Sequence, residues 1–219
     1  MPKSVFGENF FWFEVLALAV SLGVVIFKRD MKSPFRTVVL YMAFIVAFEI
    51  IANMYRKDRI LVIDTINRVV IPVEFLYMMF LGYFLLRSQK LRKWVLAAVA
   101  IYLLLFVKDL AFPSVGRARL LVTSYIAGVL GLTLVCAVLY YELLNSPRLE
   151  AFYREPVFWF FTGMLIFYLG TLPMHLYWNL ASSRDVQLLI KLQALFNTLM
   201  CIMYVFFSVS MLSLLWKKD

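Results

Sequence analysis

The sequence predicts an all-α protein: a polytopic membrane helix bundle, folded as one domain with no soluble part. Three observations carry that expectation. Hydrophobic residues make up 64% of the 219 and charged residues only 16%, where a soluble domain has about a quarter of its residues charged. Mean hydropathy is +0.86. The apolar residues also come in runs, each near the roughly 20 residues that a helix needs to cross a bilayer, separated by short polar clusters.

On that template seven spans are expected, at 10–27, 37–54, 67–86, 94–112, 119–141, 157–178 and 187–216. The first, "FFWFEVLALAVSLGVVIF", is longer than the apolar core of a cleaved leader. Only Lys3 precedes it and its basic cluster, "KRDMK", follows, so it reads as a helix that enters from outside. The second ends in a polar pair, Glu49 and Asn53. The third runs from Asn67 and Arg68 through Pro72 to Glu74 and then "FLYMMFLGYFLL". The fourth ends at Lys108 and Asp109. The fifth carries Ala127 and Gly131, small residues four apart that suit close helix contact. The longest break is "ELLNSPRLEAFYREP", where Ser146-Pro147 ends one helix and Pro156 suits the first turn of the next. The sixth holds Pro173 and His175, and the seventh Lys191, Gln193 and Asn197.

Orientation follows from the basic residues outside the spans. One side carries Lys28, Arg29, Lys32, Arg36, Arg87, Lys90, Arg92, Lys93, Arg148, Arg154, Lys217 and Lys218, twelve in all, and the other eight. The richer side is cytoplasmic by the positive-inside rule, which places the N-terminus outside and the C-terminus inside. The net charge of +9 is spent in these clusters, so no nucleic-acid partner is expected. A single histidine and two well-separated cysteines, Cys136 and Cys201, give no metal-ligand spacing, and no cofactor is expected.

With this topology the polar residues are lopsided. Glu49, Asn53, Asn67, Glu74, His175, Lys191 and Asn197 all fall in the outer half, whereas the inner half is apolar. Acids exposed to lipid cost at least a few kcal/mol, so Glu49 and Glu74 are expected to face protein. Asn67, seven residues before Glu74, would share its face in a regular α-helix. These seven residues form the candidate ligand-binding set, in a cavity open to the outside above an apolar floor. Glu14, near the start of the first span, is expected to reach interfacial water.

Four stretches, "FEIIANMYR", "IPVEFLYMMFLGYFLL", "FWFFTGMLIFYLG" and "LFNTLMCIMYVFFSVSML", resemble a group of multi-pass inner-membrane proteins of Bacteroidota-like bacteria. The resemblance implies residence in a bacterial inner membrane and carries no activity. A lysine in the last helix is also similar to microbial rhodopsins, but Lys191 stands only about a turn and a half into its span. "PVEFLYMMF" is similar to the Pro-x-Glu-Glu motif of membrane lycopene cyclases, with Phe75 in place of the second acid. The expected role is that of a receptor-like or accessory membrane protein, not an enzyme, with membrane lipid around it and a protein partner. The alternatives are an intramembrane enzyme acting on a lipid or isoprenoid, and a small-solute transporter or channel.

Overall fold

A computed structural model describes residues 9–28, 34–55, 65–112, 122–145, 154–180 and 185–216. Among these there is no strand. The helices are α1 (Asn9–Phe27), α2 (Arg36–Met54), α3 (Ile71–Leu85, entered through a π-helical turn, Ile66–Val70), α4 (Gln89–Ala111), α5 (Val122–Leu144), α6 (Pro156–Leu180) and α7 (Val186–Trp216). Among the described residues, five segments are long and apolar enough to cross a membrane: Arg68–Leu85, Gln89–Ala111, Thr123–Leu144, Pro156–Tyr177 and Gln187–Leu215. The chain is thus a helical membrane protein, as its composition predicts. The largest boundary difference is at α4, which begins five residues ahead of the expected span because "QKLRK" is helical; long basic side chains extend a helix into the headgroup layer at little cost.

The described helices fall into two compact units. The first contains α1, α2 to Ile50, α6 from Pro156 to Met174, and α7. Here α1 and α7 run parallel, since Glu14 meets Tyr204 and Lys28 meets Leu214 further along both helices. Helices α6 and α7 run antiparallel, with Gly170 against Leu199, Gly163 against Phe206, and the Ser210 hydroxyl donating to the Pro156 carbonyl at 2.7 Å. Gly163 and Gly170 are seven residues apart, as are Leu199 and Phe206, so one small-residue stripe of α6 receives one large-residue stripe of α7. This glycine spacing lets the two backbones approach closely. Phe160 stacks on Phe207 with ring centroids 4.4 Å apart, and Phe35 meets Phe160 edge-on. The Lys28 ammonium donates to the Leu214 carbonyl at 3.2 Å, a cation on the negative end of α7.

The second unit contains the end of α2 from Ile51, α3, α4, α5 and residues 175–180 of α6. A connection of three residues, Leu86 to Ser88, turns α3 into α4. Helix α5 then runs parallel to α3, with Gly128 against Phe75, Gly131 against Met79, and Glu142 accepting the backbone N–H of Arg87 at 2.9 Å. Gly131 lies at a close helix contact as its spacing suggests, but the tighter constraint is Gly128, against which the Phe75 ring is packed. Phe75 is fully buried and lies between Tyr102 of α4 and Tyr125 of α5, with centroids at 5.7 and 5.6 Å.

Candidate functional site

The expected site residues divide between the units. Glu49, Lys191 and Asn197 belong to the first; Asn53, Asn67, Glu74 and His175 belong to the second. The side chains of Asn53 and Asn67 lie outside the described residues.

In the second unit, the chain direction gathers the start of α3, the end of α4, the start of α5 and the last turn of α6. The most unusual local feature is the turn that leads into α3. Over Ile66–Val70 the backbone is π-helical, and the Ile71 N–H bonds the Ile66 carbonyl five residues back. Pro72 explains it. Proline has no N–H and its ring collides with the carbonyl four residues earlier in a regular α-helix, so a wider turn ahead of it removes the clash. Single π turns within helices occur often at functional sites. A π turn also takes more residues per revolution, so the seven-residue spacing no longer places position 67 directly above Glu74. Pro72 itself is buried, and Glu74 follows within the first turn of α3, half-buried.

More polar groups stand around this end. His175 packs its imidazole on Tyr125, with centroids 4.2 Å apart, and Tyr125 in turn meets Phe75, the neighbour of Glu74. Asp109 is buried and its Oδ2 accepts the backbone N–H of Ser124 at 2.7 Å. It therefore caps the first turn of α5 from the end of α4, satisfying a donor that has no partner within its own helix. Asp109→Ala is expected to cost about 1 kcal/mol, and Asp109→Asn, which keeps the acceptor oxygen, most of a kcal/mol less; reversible unfolding in mixed detergent micelles measures both. Equal losses for the two variants would mean that the carboxylate charge, not the cap, is what matters.

In the first unit, Asn197 is buried and its Oδ1 accepts from Gln193 Nε2 at 3.1 Å, one turn earlier on α7. Glu49 is half-buried and Lys191 is exposed. The principal surprise is Glu14. Its spacing near a helix start suggests interfacial water, yet it is 3% exposed and its Oε1 accepts the Tyr204 hydroxyl at 2.7 Å. The reason is the face that it shares. Ala17, Ser21 and Val24 follow it at helical spacing and are all buried, so the small side chains of α1 let α7 close over the acid. Tyr204 reaches Glu14 from α7, and Asn197 and Met211, seven residues to either side of it, are buried as well. The sequence signal was present in "EVLALAVS": an acid ahead of small residues on one face.

Among the described residues no three histidine, cysteine, aspartate or glutamate side chains converge as metal ligands. Comparison with protein-family models, with curated proteins and with solved structures finds no match for this chain.

Proposed function

We propose that the protein is a receptor-like or accessory protein of a bacterial inner membrane, spanning it seven times with the N-terminus outside. In this reading a polar cavity opens outward, Glu74 recognises a small or lipidic ligand there, and the packing change is passed to a partner protein. The observation that carries the reading is the π turn at Ile66–Val70 directly ahead of Pro72 and Glu74. It sets an acid beside a backbone that has already left regular α-helical bonding, in a segment otherwise apolar. Such a turn has two nearby arrangements, π and α, and a ligand that favours one of them shifts the register of everything that precedes it. His175 on Tyr125, and Tyr125 on Phe75, supply a packed path from the end of α6 to the residue beside Glu74.

The test is purification from native membranes in mild detergent, with quantitative mass spectrometry of what accompanies the protein. The reading expects a stoichiometric partner with a cytoplasmic output domain, and Glu74→Gln that keeps the partner but loses the response. A protein that emerges alone and is active by itself contradicts it.

A further inference from the structure

Helix α4 is the least covered of the five long apolar helices. Only 17% of its span is buried, against 39–44% for the other four. Its exposed face has a definite order. Lys90, Lys93 and Trp94 come first, at helical spacing, then Ala97, Ile101 and Leu104 continue the same stripe, all exposed. From Trp94 to Leu104 the stripe rises about 15 Å, half of the roughly 30 Å hydrocarbon thickness. That is the depth of one leaflet. At its head, Arg87 is exposed as well and stands in the short turn before α4.

Among the described residues, no acid cancels the charge at this turn. Arg92 is committed to structure: its Nε donates to the Leu86 carbonyl at 2.8 Å and its guanidinium lies over the Tyr83 ring at 5.3 Å. Glu142, the acid at the turn, spends both oxygens on the Arg87 backbone N–H, at 2.9 and 3.1 Å. No described acid pairs with the side chains of Arg87, Lys90 or Lys93. Three cations therefore stand at the head of the stripe, next to an exposed tryptophan and an apolar track about as long as one leaflet is deep.

We propose that this face of α4 binds an anionic phospholipid. The phosphate lies among Arg87, Lys90 and Lys93, the glycerol region rests at Trp94, and an acyl chain follows Ala97, Ile101 and Leu104. Basic clusters next to a membrane helix attract anionic lipid; the ordered stripe beneath this one supplies the tail contact that a free anion lacks. The site is distinct from Glu74, which lies on α3 beside the π turn.

The test compares thermal unfolding of the purified full chain in detergent with added phosphatidylglycerol, phosphatidylcholine, or tail-less glycerol phosphate. Phosphatidylglycerol is expected to raise the melting temperature by about 3 °C or more when saturating, and the other two by far less. R87Q/K90Q/K93Q is expected to lose most of that difference while unfolding normally in phosphatidylcholine. If the triple variant does not fold, K90Q/K93Q and native mass spectrometry of retained lipid give the same reading. An undiminished phosphatidylglycerol shift in a folded variant overturns the site. Equal shifts with phosphatidylcholine overturn the charge selectivity, and an equal shift with glycerol phosphate means a free-phosphate site instead.

Discussion

Gly163→Ala is expected to lower stability by about 1–3 kcal/mol, the usual cost of overpacking a filled interface. A Cβ at this position would stand 2.6 Å from the Phe206 Cβ and 3.3 Å from the Met203 carbonyl. Neither atom can be moved by changing a rotamer, so α6 and α7 must separate. Gly128→Ala should be similar in size, because its Cβ would meet the Phe75 ring at 2.6 Å and that ring is held between Tyr102 and Tyr125. The other glycines act as internal controls. At Gly131 the obstacle is the terminal methyl of Met79, and at Gly170 the Cδ1 of Leu199; both are ends of flexible side chains and can swing aside. At Gly23 nothing lies within 4 Å, so alanine should gain up to about 1 kcal/mol of helix propensity. Detergent-driven unfolding of the five variants measures the order. Gly163→Ala no worse than Gly131→Ala would contradict the packing of α6 on α7.

The second large effect concerns the buried acid. Tyr204→Phe removes the hydroxyl that donates to Glu14 at 2.7 Å. Leaving a buried carboxylate with one bond fewer is expected to cost about 1–3 kcal/mol. Interhelical hydrogen bonds in membranes carry less in double-mutant cycles, about 0.6 kcal/mol on average and up to about 1.7. The coupling between Tyr204→Phe and Glu14→Gln should therefore fall in that lower range, with the rest of the loss due to desolvation. Additive single effects would mean that the α1–α7 contact is held by its small-residue face alone.

The helices themselves were readable in the sequence because each is an apolar run bounded by charge, and a membrane protein cannot place such a run elsewhere. Pro156 at the first position of α6 and the short turn between α3 and α4 follow from local chemistry in the same way. Partner choice was less legible. Glu14 looked like an interfacial acid because its distance from the helix start is a local property, whereas its burial depends on Tyr204, far away in the chain. Gly163 and Gly170 have a seven-residue spacing that suits a close helix contact, but the spacing alone does not say which helix fills it. The π turn was foreshadowed by Pro72, which signals a disturbed turn without fixing whether the backbone kinks or widens. Asn197 is buried, since an amide in a long apolar run has few other places to go.

In the proposed reading, water reaches Glu74 from outside at the end of the second unit. The direct measurement is labelling by a membrane-impermeant maleimide on intact cells, with Cys136 and Cys201 replaced by alanine and single cysteines introduced at Arg68, Glu74 and Leu81. Arg68 is exposed and Leu81 is buried, so they bracket the site. Arg68→Cys and Glu74→Cys are expected to be labelled from outside and Leu81→Cys to be silent. Labelling at Arg68→Cys with none at Glu74→Cys, or labelling of Glu74→Cys only after the inner face is exposed, would contradict it.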